Sequence, residues 1–223
     1  MIPLTGSLGV IKCAYCTVLA CYKGEFEHLP NFCPMKNLVD TVERSREELF
    51  SNSVSRELAT KASLVEAEGY MRWPRLREII EYSRKLGIER IGIAFCIGLR
   101  REANYTSQAL ENAGFEVYSV CCKVGGINKL DLGIPREFTL EKGDFEAICN
   151  PIGQAMILNA LETELNVVIG LCVGHDSLFY QYSRAPAVTL IVKDRVTGHN
   201  PAAALYTEYY QEIFGIKPSL VHK

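Results

Sequence analysis

From residue 89 onward, short apolar runs alternate with segments of helical period. RIGIAFC, EVYSVCC, FEAICN, NVVIGLC and AVTLIVKD read as strands, rich in β-branched and aromatic residues and bounded by turn formers. Between and after them REANYTSQALENAG, PIGQAMILNALETE, DSLFYQYSR and NPAAALYTEYYQEIFG carry helical spacing. This alternation, without hairpin signals, predicts an α/β domain over 89–223. Its sheet is parallel, Rossmann-like, of at least four strands and flanked by helices. The longest connection, KVGGINKLDLGIPREFTLEKGD, precedes FEAICN.

Upstream the period is helical throughout. LVDTVERSREELFSNSVSRELATKASLVEAEGYM predicts two helices interrupted near Ser51-Asn52-Ser53. A third, PRLREIIEYSRKLG, has Pro74 near its first turn and Gly87 at its end. These make a helical segment over 37–88. Residues 1–36 lack periodicity and have too few apolar positions for a core of their own.

That first segment is where composition changes the picture, because four of the chain's nine cysteines lie in it. An N-terminus without a basic n-region, and no apolar stretch of membrane-spanning length, predict a cytoplasmic protein with no membrane association. In such a chain cysteines suit metal ligation or thiol chemistry better than disulfides. The formal net charge of −2 argues against nucleic acid as a partner.

The cysteines fall into two sets. Cys13, Cys16, Cys21 and Cys33 combine a CxxC pair with two further thiols, the makings of an all-thiolate metal shell stapling residues 1–36. Structural zinc accepts this spacing. Cys33-Pro34 after a CxxC is similar to bacterial ferredoxin loops, although the spacing is not theirs. The second set, Cys96, Cys121, Cys122, Cys149 and Cys172, falls at the ends of IGIAFC, VYSVCC, EAIC and VVIGLC. In a parallel sheet those C-terminal ends share one edge, where ligands bind. Any single cysteine there is explained by burial as a small hydrophobe; four strands delivering one at the same end point to a common centre. Cys121 and Cys122 point to opposite faces if extended, so one faces the centre and the other packs.

His175 and His199 follow strand ends at the same edge, each after a glycine, and suit metal ligation, proton donation or a loop hydrogen bond. Asp176, Asn150 and Asn200 have the character of helix N-caps, which would aim free N–H groups at an anionic centre. Arg100, Arg101 and Lys123 could neutralise such a centre or grip a carboxylate. Neither GxGxxG nor GxxxxGK occurs.

Together CAYCTVLAC with FCP, GIAFCIGLRREA, CNPIGQA, GLCVGHDSLF and TLIVKDRVTGHNP resemble an uncharacterised prokaryotic family described as a metal-binding domain of unknown function. The resemblance covers nearly the whole chain and implies metal binding with no assigned reaction. At the level of fold, carbon monoxide dehydrogenases and hybrid-cluster proteins are similar in hanging cluster ligands on strand ends of Rossmann-like domains, which is analogy alone.

The reading that follows is a cytoplasmic metalloprotein carrying a 4Fe-4S cluster for redox chemistry or electron transfer, served by a redox partner protein or a small-molecule substrate. Zinc is the alternative at the N-terminal four-cysteine site, in a domain that binds or senses metal without turnover. A third reading is a thiol enzyme, with Cys96, Cys149 or Cys172 as nucleophile and His175 or His199 as base. The two cysteine sets form either one site or two.

Overall fold

The computed structural model describes residues 10–217. Ahead of the sheet, two short helical turns, α1 (Ala20–Lys23) and α2 (Pro34–Asn37), punctuate the cysteine-rich segment. The charged periodicity after them forms α3 (Val39–Ser51), α4 (Ser53–Gly69) and α5 (Arg75–Leu86). Asn52 is the interruption between α3 and α4, and its side-chain oxygen accepts from the N–H groups of Val54 at 3.0 Å and Ser55 at 3.1 Å. It therefore caps the second helix where the first stops. Pro74 stands at the N-cap of α5, and Gly87 closes that helix in the left-handed conformation. The chain divides into two compact units, one ending at Leu64 and the other beginning at Val65. That division lies inside α4, whereas the sequence placed its boundaries after 36 and 88.

Among the described residues of the second unit, β1 (Arg90–Phe95), β2 (Glu116–Cys121), β3 (Leu165–Ile169) and β4 (Ala187–Ile191) form one sheet in the order β2-β1-β3-β4. Every neighbouring pair is parallel. The connections are carried by α6 (Arg100–Asn112), α7 (Pro151–Ala160) and α8 (His175–Tyr182), and the chain continues through α9 (Ala202–Tyr206) and α10 (Glu208–Ile213). Central strands β1 and β3 are buried on both faces. Ile91, Ile93, Leu165, Val167 and Ile169 are wholly inaccessible, as are Leu99, Leu110, Leu158 and Phe179 around them. A strand covered on both sides is a continuous apolar run, which is why RIGIAF and NVVI were legible.

The strand order reverses its progression between β1 and β3, so the switch point of the sheet lies beyond their C-terminal ends. Gly170 makes the turn there possible. Its φ is 62°, and a Cβ would sit 2.7 Å from Leu99 Cδ2.

Two predicted elements differ. FEAIC is not a strand; its only pairing is an antiparallel bridge of Ala147 with Asn128. The Ile148 N–H goes to Ile127 O at 2.8 Å and the Asn150 N–H to Cys122 O at 2.7 Å, so the segment is tied to the preceding loop rather than to the sheet. NPAAALYTEYYQEIFG is not one helix, because Thr207 is extended, with φ −90° and ψ 124°, between α9 and α10.

Candidate thiol centre at the sheet edge

Cys96, Cys122 and Cys149 meet beyond the strand ends. Cys96 continues β1, its N–H still bonded to Ile169 O at 3.0 Å; Cys122 follows β2, with its N–H on Phe95 O at 2.8 Å. Cys149 arrives from the other end of the excursion 123–148. The Sγ atoms of Cys122 and Cys149 are 3.7 Å apart, and Cys96 lies close enough to Cys122 for each to shift the other. Cys122 is the middle of the row and the most deeply placed, only 1% exposed. The Ile97 N–H reaches its sulfur at 3.4 Å. Cys121, the last residue of β2, is half-buried against the core and outside the row.

The neck of the excursion is secured by backbone and side chain together. Asn150 caps α7 by accepting from the Gly153 N–H at 2.8 Å, and its amide donates to Val124 O at 3.3 Å. Lys123 Nζ donates to Ala147 O at 2.5 Å. Behind the row, fully buried Gln154 of α7 spans the ends of β1 and β2, donating to Val120 O at 2.7 Å and Phe95 O at 3.2 Å.

A crevice of about 480 Å³ opens over the row. Cys96, Cys149 and Cys172 line it with Lys123, Lys193 and Arg195, and Leu140 and Phe145 of the excursion form part of its wall. Arg195 Nη2 donates to Cys172 Sγ at 3.1 Å, and that hydrogen bond raises the arginine above its ordinary value. Lys193 faces Cys96 across the crevice and its charge lowers that thiol. Three cations thus face the thiols from the open side.

The row divides its protons unequally. Hydrogen bonding by Cys122 holds Cys96 at about 5 against an ordinary value near 9, with the Gly98 N–H and Lys193 assisting against burial. The same neighbour holds Cys149 at about 5, helped by the charges of Lys123 and His175. Cys122 moves far upward, held protonated by Cys149, Cys96 and burial. Reactivity should follow. In metal-free protein, alkylation of Cys149 by iodoacetamide is expected to be nearly flat between about pH 8 and about pH 6 and to fall only near pH 5, because the thiolate is the nucleophile. Peptide-resolved mass spectrometry across pH checks this; a tenfold loss per unit below pH 8 would contradict it.

The other residues singled out by sequence are placed differently. His175 begins α8 with its N–H on Cys172 O at 2.9 Å, and its Nδ1 is buried without a hydrogen-bond partner among the described residues. Asp176 lies inside the first turn of α8 instead of capping it, accepting from the Gly174 N–H at 3.0 Å. His199 closes a turn with Asp194: its Nδ1 accepts from the Asp194 N–H at 3.1 Å, and its own N–H donates to Asp194 O at 2.8 Å. Asn200 supplies no side-chain cap to α9, whose N-cap position is Pro201. Arg101 turns to Tyr105 on its own helix, donating to the hydroxyl at 3.0 Å, and Arg100 is exposed. Neither arginine lines the crevice. Lys193 and Arg195 do, because β4 stops at Ile191 and leaves both in the loop that follows, whereas AVTLIVKD reads as strand through Lys193.

In the N-terminal unit Cys33 is buried at the start of α2, Cys16 is half-buried, and Cys13 and Cys21 are exposed. All nine cysteines are free thiols. Among the described residues no three histidine, cysteine, aspartate or glutamate side chains close around a point as a ready cage for one metal ion.

Residues 33–190 match the family model described as protein of unknown function (DUF1847). The chain belongs to this family. A relative is the uncharacterized protein MJ0455 of Methanocaldococcus jannaschii, 44% identical over 200 residues that cover 90% of this chain and 96% of that one. Looser likenesses are to Dph2 from Pyrococcus horikoshii and to the same protein with a 4Fe-4S cluster, at 17% and 18% identity and TM-scores of 0.34 and 0.35. They cover 64% and 65% of this chain, which spans about a third of the Dph2 length, 32% and 34%. Likeness at that level transfers no chemistry to the family.

Proposed function

We propose that this DUF1847 member is a thiolate-ligated metalloprotein whose sheet-edge row of Cys96, Cys122 and Cys149 holds an iron-sulfur cluster used for redox chemistry or electron transfer. The observation that carries the reading is the convergence of three thiols, from the ends of β1 and β2 and the segment before α7, on one cation-lined crevice. The donor set fits the group. Thiolates are soft ligands that favour iron-sulfur clusters and zinc over oxygen-seeking ions. Bound there, a cluster would supply one-electron transfer.

The chain's own residues serve such a centre in definable ways. Cys96 and Cys149, both lowered, present thiolates, and Cys122 delivers the third sulfur on loss of its proton. Lys123, Lys193 and Arg195 offset the negative charge a thiolate centre concentrates. Leu140 and Phe145 add apolar surface to the excursion side of the crevice. Cys172 stays with Arg195, which leaves the row open toward the crevice, where a small-molecule substrate or the surface of an electron partner would approach. A reducing cytoplasm suits nine free thiols. Among the described residues no helix is long and apolar enough to cross a membrane. The four N-terminal cysteines belong to the same proposal as a second metal site.

Zinc is the second reading, and one observation favours it. A tetrahedral ion about 2.3 Å from each thiolate brings neighbouring sulfurs to about 3.8 Å, close to the 3.7 Å between Cys122 and Cys149. Against it, structural zinc is closed by four protein ligands, and here the fourth thiol is engaged by arginine. Anaerobic purification followed by iron, sulfide and zinc analysis decides. Iron and acid-labile sulfide in equal amounts, with broad visible absorbance, are expected. Stoichiometric zinc in a colourless protein would establish the alternative, and a metal-free protein that takes up neither on reconstitution would overturn both.

A further inference from the structure

Cys122 and Cys149 stand at the two ends of the excursion 123–148, and their sulfurs are already 3.7 Å apart. A disulfide needs about 2.05 Å, a closure within reach of side-chain rotation when the backbones are fixed close together. Here they are fixed, by the Asn150 N–H on Cys122 O at 2.7 Å and Lys123 Nζ on Ala147 O. We propose that Cys122 and Cys149 are a reversible disulfide pair of the metal-free protein, a modification site that withdraws two of the three crevice thiols and locks the neck of the excursion.

Cys96 competes for Cys122 but is the less mobile partner. It is 5% exposed, held in the extended ladder by its bond to Ile169 O, and engaged at sulfur by the Gly98 N–H and Lys193. Cys149 lies in a stretch without regular structure, is half-buried, and faces the crevice. It is the thiol a small molecule meets. The oxidant is a low-molecular-weight disulfide. Cys149 thiolate attacks one of its sulfurs, forming a mixed disulfide and expelling one small thiolate, which takes up a proton. Cys122 then gives up its proton and attacks Cys149 Sγ, expelling the second small thiol. Two protein thiols are oxidised to one disulfide, and one small disulfide is reduced to two thiols.

The consequence for metal rests on the proposed function: the oxidised pair leaves only Cys96 of the row as a ligand. The pairing itself does not rest on it. Metal-free wild-type protein is treated with oxidised glutathione, quenched by alkylation and digested, and disulfide-linked peptides are mapped. The expected result is a dominant Cys122–Cys149 link, reversed by dithiothreitol, retained in Cys96→Ser and absent from both Cys149→Ser and Cys149→Ala. Dominant linkage of Cys122 to Cys96, linkage elsewhere, or no linked peptide in the wild type would overturn the proposal. Wild-type mapping keeps the test valid if a variant fails to fold. A mapped Cys122–Cys149 link in a protein that never loads metal would sustain the pair and sink the metal reading, while metal loading without the link would do the reverse.

Discussion

Replacing Cys122 with serine is expected to reduce bound metal at the sheet edge to less than a tenth of the wild-type level, whereas Cys121→Ser leaves it intact. The two residues are adjacent, and the difference between them is where the chain turns. Cys121 is the last residue of β2, paired with Phe95 and packed at the margin of the core. Cys122 is the first residue past the strand and contacts both Cys96 and Cys149. A serine hydroxyl there still accepts the Ile97 N–H but does not ionise to a soft ligand, so the row loses its central donor. The cost to folding should be about 1 kcal/mol, because the backbone hydrogen bond survives and the volume change is small. Anaerobic reconstitution with metal and sulfide analysis, alongside circular dichroism, reads both effects. Metal retained by Cys122→Ser and lost by Cys121→Ser would invert the assignment of the pair.

The same neighbourhood shows what could be read from residue order and what could not. RIGIAF and NVVI are continuous apolar runs because β1 and β3 are covered on both faces, so their parallel pairing followed from burial pattern and from the helices between them. FEAIC has a strand's composition, yet composition records preference and not occupancy. Its backbone groups find partners in Ile127 and Cys122, at the neck of the excursion, instead of in the sheet. Charge was misplaced for a related reason. Arg100 and Arg101 are near Cys96 in sequence, but a 3₁₀ turn at Ile97–Leu99 leads them into α6, where Arg101 turns to Tyr105 and Arg100 is exposed, and neither lines the crevice. Lys193 and Arg195 are far from every cysteine of the row in sequence, but β4 stops at Ile191, so both fall in the loop over the switch point. Counting where a β-branched run ends, and not only what it contains, would have found them. The caps divide similarly: Asn150 works because Pro151 fixes the first turn of α7, whereas Pro201 itself takes the cap position of α9 and leaves Asn200 outside.

Gly92→Ala should destabilise the protein by about 3–5 kcal/mol, a large fraction of the roughly 5–15 kcal/mol that holds a domain folded. Gly92 lies in the middle of β1 beside its β3 register partner Asn166. A Cβ on it would stand 2.1 Å from Asn166 Oδ1 and 2.9 Å from both terminal carbons of Leu158. Neither neighbour gives way freely. Leu158 is wholly buried in α7, and Asn166, equally buried, accepts from Thr163 Oγ1 at 2.9 Å and donates to Ser183 Oγ at 2.9 Å. Displacing the amide would leave its own oxygen and nitrogen unpaired in a dry interior, since Thr163 and Ser183 keep Leu158 O and Ala185 O as acceptors, at about 1–3 kcal/mol for each unsatisfied group, on top of the strain of overpacking. Urea unfolding should show a lower midpoint with an unchanged slope, since the exposed surface of the unfolded chain is the same. The cause is separable by a double-mutant cycle with Asn166→Ala. If the methyl collides with the asparagine amide, removing that amide opens the space the methyl needs, and the double variant is less destabilised than the sum of the two singles. Strict additivity would place the collision at Leu158 instead, and a Gly92→Ala variant within about 0.5 kcal/mol of wild type would show that the packing between β1, β3 and α7 is looser than these distances imply.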